Sequence, residues 1–179
     1  MQAEVMDLVG KTCLSDDTIN IVMAKLFGGR RDVTIVDPSI VGSVEGGYMP
    51  GVAAVFAYVF DNVTSRKILI PVCCNKTHWC GIILDLDINN VCIYDPMKSS
   101  YTVRVRALAE SLIVQLPDYA PRKYRVHHYQ TNLGIQVGSF NCGVYVLLAF
   151  EEFADAQGLC MLGRKELQYL RYRYICMCA

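Results

Sequence analysis

Three apolar segments of strand length follow one another in the middle of the chain, at residues 67–73, 79–86 and 90–95. Two shorter strand candidates lie on either side of them, at residues 33–36 and 123–130. Residues 52–60 are apolar on all sides, so they fit a buried helix or a buried strand. The pattern therefore predicts that strands form the centre of the fold.

Helical patterns flank these strands on both sides. The first is clearly bounded, because Ser15 is a capping hydroxyl, Asp16 and Asp17 place acids on the first turn, and Gly28 stops the apolar periodicity. Three further helices are predicted at residues 102–116, 142–156 and 164–176. Together with the absence of repeats and linkers, this order predicts one α+β domain that spans residues 1–179.

Composition excludes several classes of function. Lysine and arginine together number 17, and aspartate and glutamate together also number 17. This balance of charge argues against general nucleic-acid binding. The longest apolar runs are much shorter than the roughly 20 residues of a membrane span. The amino-terminal residues contain Glu4 and Asp7, unlike a secretory signal. Nine cysteines in a chain with a large core favour free thiols in a reducing compartment, nuclear or cytosolic.

The segment with the most chemical information is Gln136-Val-Gly-Ser-Phe-Asn-Cys142-Gly143, which runs directly into an apolar helix pattern. Cys142 is placed on the first helical turn, where backbone N–H groups and the helix dipole favour the thiolate. Gly138 and Gly143 allow a sharp approach to the helix and a close approach of substrate backbone. A buried cysteine that merely begins a core helix is the alternative from this segment alone.

A thiolate nucleophile needs a base, and His78, His127 and His128 are the candidates. The last two are neighbours on a predicted strand, so at most one of them points into a site. His78 begins the strand at residues 79–86, and Asp95 ends the next one. A turn centred between Leu86 and Asp87 places His78 opposite Asp95, whereas a turn centred two residues later moves the pair four residues out of register.

The motifs match a known family when they are taken together in their order along the chain. They are Leu14-Ser-Asp16-Asp17-Thr-Ile19, Ile70-Pro71-Val72, His78-Trp79, Ile93-Tyr94-Asp95 and the segment from Gln136 to Gly143. This set resembles the ubiquitin-like-protein-specific cysteine proteases, the SUMO proteases and their adenovirus-protease-like relatives. The resemblance covers most of the chain and implies a papain-like fold of the SUMO-protease type, with a central mixed sheet flanked by helices.

The same resemblance implies a division of catalytic work. Cys142 attacks a carbonyl, His78 relays the proton, and Asp95 holds the His78 ring in its productive tautomer. Gln136 donates its side-chain amide to the oxyanion beside the backbone N–H of Cys142. A donor aimed at an oxyanion is worth about 3 kcal/mol of the activation barrier.

Substrate contacts are implied as well. Trp79 walls a narrow channel for a Gly-Gly tail, Gly143 lies beside the nucleophile, and Asp16 pairs with a basic residue on the modifier. Cys13 stands where the family usually has a second tryptophan wall, which changes the expected clamping of the tail. Asn141 replaces the usual aspartate before the nucleophile and is expected to cap the helix without a charge.

The expected function is therefore cleavage after the C-terminal glycine of a ubiquitin-like modifier, SUMO-like or ubiquitin, by a monomer without metal or organic cofactor. An acyltransferase that uses the same three residues is one alternative, and a non-catalytic modifier-binding module is another. A zinc site would need four converging ligands, for which Cys73, Cys74, His78 and Cys80 are a conceivable set. Strand alternation separates those side chains, so no metal is expected.

Overall fold

The computed structural model of the chain describes residues 3–44, 57, 60, 65–116, 118–136, 138–154 and 161–179. A 3-10 helix at Ala3–Leu8 precedes five helices, namely α1 (Asp16–Phe27), α2 (Pro38–Val41), α3 (Tyr101–Ile113), α4 (Cys142–Phe153) and α5 (Arg164–Cys178). The strands are β1 (Val33–Ile35), β2 (Ser43–Val44), β3 (Lys67–Cys74), β4 (His78–Asp85), β5 (Asn90–Tyr94) and β6 (Arg125–His128). The segment at 52–60 lies outside the described residues, apart from positions 57 and 60.

Six strands form one mixed sheet in the order β1-β3-β4-β5-β6, with β2 also paired to β3. Strand β4 pairs antiparallel with both of its neighbours, β3 and β5. The other pairings are parallel, namely β1 with β3, β2 with β3, and β5 with β6. The predicted α+β class is confirmed. Helix α2 and strand β2 were not predicted from the sequence, because four and two residues are too short for a periodic pattern.

Both faces of the central strands are covered, which explains why β3 and β4 are almost continuously apolar. Side chains alternate between the faces, so Leu69 and Ile83 belong to a core shared with α1, α4 and α5. Ile70 and Ile82 belong to a second core shared with α3. At Gly81 the ring of Phe150, on helix α4, comes so close that a Cβ on residue 81 would lie 2.8 Å from Phe150 Cε1.

The register of the β4–β5 hairpin differs from the predicted one by two residues. Gly81 pairs with Tyr94, so continuation of the ladder places Cys80, not His78, opposite Asp95. His78 and Asp95 nevertheless share a face as diagonal neighbours, a spacing that long side chains bridge. The prediction of direct opposition is wrong, while the predicted proximity of the two side chains is confirmed.

A tight turn joins β3 to β4 and fixes the end of the sheet that carries His78. Asn75 and Lys76 have positive φ angles of 53° and 58°, and the backbone N–H of Thr77 donates to the carbonyl of Cys74 at 3.2 Å. Two successive positive φ angles are the signature of the hairpin turn that matches strand twist. The turn therefore fixes the carbonyl of Thr77 and the ring of His78 at the start of strand β4.

Helix α5 is attached to α4 by a buried carboxylate. Glu151 accepts two hydrogen bonds from Arg173, at 2.8 and 2.6 Å, and a third from the hydroxyl of Tyr174 at 2.8 Å.

No helix in the described part of the chain has the length and apolar character needed to cross a membrane. The eight cysteines that the structure describes all carry free thiols.

Candidate active site

Cys142 is the first residue of α4, and its side chain has no exposed surface. Burial alone would raise the pKa of this thiol, but a hydrogen bond from His78, the charge of that ring and the backbone N–H groups of Trp79 and Gly143 lower the pKa below the ordinary thiol value. The helix N-terminus acts in the same direction. Cys142 is therefore set up to exist as a thiolate.

His78 lies between Cys142 and Asp95. Its Nε2 is 2.8 Å from Asp95 Oδ1, and the exposed fractions of the two side chains are only 8% and 4%. Because Nε2 is engaged with the carboxylate, Nδ1 is the nitrogen left for the thiol. Burial lowers the pKa of His78, but hydrogen bonds and charge from Asp95 and Cys142 outweigh it and raise the pKa to about 9. A thiolate and an imidazolium thus stabilise one another across neutral pH.

Asp95 directly follows β5 and is held rigidly by residues of the segment that leads into α3. Its Oδ1 also accepts from the backbone N–H of Met97 at 2.9 Å, while its Oδ2 accepts from the N–H and hydroxyl of Ser99 and from the hydroxyl of Thr102. Burial opposes ionisation, but the hydrogen bonds from His78, Ser99 and Met97 lower the pKa of Asp95 below its usual value. The carboxylate stays charged and cannot rotate away from the imidazole.

The His78 ring is also supported by Tyr101, which the sequence analysis did not identify. The two rings stack with their centroids 5.8 Å apart and an interplanar angle of 23°. The other two histidines, His127 and His128, lie exposed on β6 and are not part of this cluster. The structure thus selects His78 among the three candidate bases.

Two hydrogen bonds to backbone carbonyl groups hold Gln136 in place. Its backbone N–H donates to the carbonyl of Pro96 at 2.8 Å, and its Nε2 donates to the carbonyl of Gly138 at 2.7 Å. Gly138 has a φ of +90°, which a glycine adopts without strain. The Oε1 of Gln136 is buried without a hydrogen-bond partner. The side chain is thereby fixed on the loop before Cys142, and oxyanion binding stays a prediction.

Cys13 and Trp79 are both held by hydrogen bonds to backbone carbonyl groups. The Cys13 thiol donates to the carbonyls of Thr77 at 3.3 Å and Ser139 at 3.5 Å. The indole Nε1 of Trp79 donates to the carbonyl of Leu14 at 2.7 Å, and the ring is only 2% exposed. Trp79 therefore anchors the segment that carries Cys13, and its role as a channel wall stays a prediction.

Asp16 and Gly143 have clear structural surroundings, while their contact with substrate stays a prediction. Asp16 is exposed on the first turn of α1, and partial desolvation of its carboxyl group together with the charges of Asp17 and Asp37 raises its pKa. A Cβ on Gly143 would lie 3.0 Å from Leu14 Cδ1 and 3.1 Å from Cδ1 of Ile19, which is on α1. Packing of α1 against α4 is thus a sufficient reason for a glycine after the nucleophile.

Arg171 on α5 is a residue of the site that no local sequence signal revealed. Its buried guanidinium donates five hydrogen bonds, to Asn141 Oδ1 and to the carbonyl oxygens of Asp7, Gly10, Thr12 and Phe140, at 2.8–3.2 Å. The expectation that Asn141 caps α4 is wrong, because its side chain accepts from Arg171 and makes no capping bond. Arg171 holds the segment before α1 and the residues before Cys142 in one arrangement.

One group of potential metal ligands occurs among the described residues. The ligand atoms of His78, Cys80 and Asp95 lie within 4.8 Å of one another. The set differs from the one considered in the sequence, because β4 and β5 bring Asp95 to this face. Three ligands fall short of the four of a structural zinc site, and the His78–Asp95 hydrogen bond already occupies two of them.

The comparisons with known proteins agree with this architecture. The family model described as Ulp1 protease family, C-terminal catalytic domain, matches residues 58–178. A search of the curated proteins finds no match. Among solved structures, the yeast Ulp1 protease domain in complex with Smt3, the yeast ortholog of SUMO, is 17% identical, with a TM-score of 0.75 over 97% of this chain and 79% of that one.

Two further structures extend the likeness to other organisms. The catalytic domain of the Ulp1-like SUMO protease of Chaetomium thermophilum is 17% identical, with a TM-score of 0.65 over 92% of this chain and 72% of that one. The effector protein XopD of Xanthomonas campestris, bound to ubiquitin, is 16% identical, with a TM-score of 0.61 over 92% of each chain. At these identities the likeness establishes a shared fold.

Proposed function

The chain belongs to the Ulp1 protease family and is a cysteine peptidase domain, and from this premise we propose that it cleaves the bond after the C-terminal glycine of a ubiquitin-like modifier. A SUMO-like modifier is the first choice and ubiquitin the second. The observation that carries the proposal is the buried series Cys142–His78–Asp95, in which the pKa of the thiol is lowered and that of the imidazole is raised. A structural cysteine would need no such arrangement.

The proposed chemistry follows from that arrangement. The Cys142 thiolate attacks the glycine carbonyl, and the His78 imidazolium donates its proton to the departing amine, which leaves a thioester on Cys142. Water then attacks the thioester while His78 accepts a proton, and the modifier is released with a free carboxylate. Asp95 keeps the same nitrogen of His78 directed at the reaction throughout both steps.

The oxyanion would be held by the backbone N–H of Cys142 and by Gln136. The Gln136 amide donates one hydrogen to Gly138, and its second hydrogen is available for the substrate oxygen. Since the side chain is already fixed in this structure, little reorganisation would be needed when charge develops. Replacement by alanine should reduce kcat more than it changes KM.

Substrate recognition is proposed for the surface around Cys142. Trp79 and Cys13 flank the path of the glycine tail, Gly143 lies under it, and exposed Asp16 contacts a basic residue of the modifier. The yeast neighbour bound to Smt3 and the Xanthomonas neighbour bound to ubiquitin support a partner with the ubiquitin fold. We further propose that residues 1–179 act as one monomeric catalytic domain in the nucleus or cytosol, without cofactor.

A panel of modifiers with C-terminal electrophiles tests this function directly. The expected result is a covalent adduct with a SUMO-like or ubiquitin probe on Cys142, absent in Cys142→Ala. The matched control is Cys176→Ser, since Cys176 is exposed on α5 and away from the site. Turnover by Cys142→Ala, or no adduct with any modifier, would contradict the proposal.

The two alternatives predict different outcomes in parallel assays. An acyltransferase would become labelled by radioactive acetyl-coenzyme A, whereas a peptidase would not. In a non-catalytic binding module, iodoacetamide would modify Cys142 slowly at neutral pH. Fast alkylation of Cys142 together with release of free modifier supports the peptidase.

A further inference from the structure

Two cysteine thiols meet at one carbonyl oxygen beside the reaction centre. The Sγ of Cys13 lies 3.3 Å from the oxygen of Thr77, and the Sγ of Cys142 lies 3.9 Å from the same oxygen. The charge of Cys142 is one of the causes that raise the pKa of Cys13, as expected of two neighbouring thiols. Cys13 is partly exposed, in the irregular segment before α1, whereas Cys142 is fully buried.

The other described cysteines do not share this relation to Cys142. The charge of Cys142 helps to raise the pKa of Cys73 and of Cys80, but the carbonyl of Thr77 accepts a hydrogen bond only from Cys13 and Cys142 among the described cysteines. Cys176 is exposed on a different helix. Among the cysteines that the structure describes, Cys13 is thus the one placed to react with Cys142.

The two thiols have opposite reactivities. The pKa of Cys142 is lowered by His78, so this sulfur is the one that an oxidant attacks. The pKa of Cys13 is raised, first by burial and then by the charge and hydrogen bond of Cys142, so Cys13 stays protonated while Cys142 is a thiolate. Conversion of Cys142 to an uncharged sulfenic acid removes that repulsion, so Cys13 ionises more readily than before.

We propose that Cys13 is a resolving cysteine, and that hydrogen peroxide converts the active site into a Cys13–Cys142 disulfide. The Cys142 thiolate attacks one oxygen of peroxide, the O–O bond breaks, and with one proton a sulfenic acid and water result. The Cys13 sulfur then attacks the Cys142 sulfur, the S–O bond breaks, and a second water leaves with the Cys13 proton. Peroxide accepts the two electrons that the thiols lose.

The disulfide rests on the proposed function only in requiring a reactive Cys142 thiolate, and it gives that site a reversible off state. A small thiol reductant such as glutathione opens the disulfide and restores both thiols. Without a resolving thiol, further peroxide converts the sulfenic acid to a sulfinic acid, which thiols do not reduce. Cys13 thereby protects the nucleophile from permanent loss.

The test treats the whole folded chain with two molar equivalents of hydrogen peroxide, blocks remaining thiols, and maps peptides by mass spectrometry without reduction. The expected result is a cross-linked peptide that joins Cys13 to Cys142 and a mass lower by two hydrogens, both reversed by dithiothreitol. Sulfinic acid on Cys142 beside an unmodified Cys13 would overturn the inference. A disulfide between Cys74 and Cys80 alone would overturn it as well.

Two variants sharpen this test. In Cys13→Ser the same treatment should give sulfinic acid on Cys142 that dithiothreitol does not reverse, while the matched control Cys176→Ser should still form the disulfide. Peptidase assays of the reduced chain run in parallel. A disulfide without turnover would refute the proposed function alone, and turnover without a disulfide would refute this inference alone. The cross-link in the unsubstituted chain is decisive even if Cys13→Ser does not fold.

Discussion

The substitution Asp95→Asn probes the interaction that sets the charge state of the site. An asparagine keeps the shape of the side chain but turns one oxygen into an amide donor. If that amide faces Ser99, it opposes the backbone N–H that Asp95 now accepts at 2.7 Å. If it faces His78 instead, the ring must present an unprotonated Nε2 and place its proton on the wrong nitrogen.

The structure gives the size of the effect. Burial favours the neutral imidazole, yet the pKa of His78 is raised from 6.5 to about 9, with Asp95 as a principal cause. A difference of this size corresponds to about 3 kcal/mol, or about 300-fold in the equilibrium between charged and neutral imidazole. In Asp95→Asn the alkaline limit of activity should therefore fall from about pH 9 towards 6.5, by the part of the shift that Asp95 rather than Cys142 causes.

The assay is kcat/KM against pH with a fluorogenic modifier substrate, together with the pH dependence of alkylation of Cys142. The first reports loss of the His78 proton, and the second reports the thiolate. Asp87→Asn is the matched control, because Asp87 is an exposed carboxylate that pairs with Arg66 at 3.2 Å in the adjoining turn. An unchanged alkaline limit in Asp95→Asn would refute the assigned role of Asp95.

The same variant tests acid stability. Folding lowers the pKa of Asp95 below its ordinary value of 3.8. Its contribution to the free energy of unfolding is therefore present above that pH and is lost as the pH falls. Urea unfolding should show that the original chain loses stability below about pH 4 more steeply than Asp95→Asn does. If the free energy of unfolding of the two proteins fell equally with decreasing pH, the lowered pKa of Asp95 would be contradicted.

Two further substitutions test the packing that positions the site. Gly81→Ala should lower the free energy of unfolding by about 1–3 kcal/mol, because a Cβ there would lie 2.8 Å from Phe150, while Gly29→Ala, with no atom within 4 Å, should have little effect in the same urea titration. Arg171→Lys cannot replace five directed hydrogen bonds, and should lower the unfolding free energy by about 2–4 kcal/mol and speed amide exchange before α1, whereas the exposed Arg164→Lys should not. Equal stability of the two lysine variants would contradict the role of Arg171.

The β4–β5 hairpin shows how far a local pattern can be taken. The two strands were found within one residue at each end, because their apolar runs are continuous. Their register was missed by two residues, because several centres fit the polar turn and only the packed ladder selects one. His78 and Asp95 meet despite that error, since a shift of two residues keeps both side chains on the same face.

Gln136 and Arg171 show a different limit. Gln136 was predicted only by resemblance to a family, since a polar loop residue carries no local signal of its role. Arg171 could not be found at all, because its acceptors lie in residues 7–12 and 140–141, far from it along the chain. Hydrogen bonds of this kind form only after distant segments have packed.

The sequence alone determined the four long helices, the central strands and the identity of the reactive groups, because capping, apolar periodicity and side-chain chemistry act within a few residues. Only the tertiary structure decided which groups meet. It placed the imidazole of His78 against Asp95 on a diagonal, and it brought the thiols of Cys13 and Cys142 to the carbonyl of Thr77. Such meetings depend on how the sheet and the helices pack, and packing is a property of the whole chain.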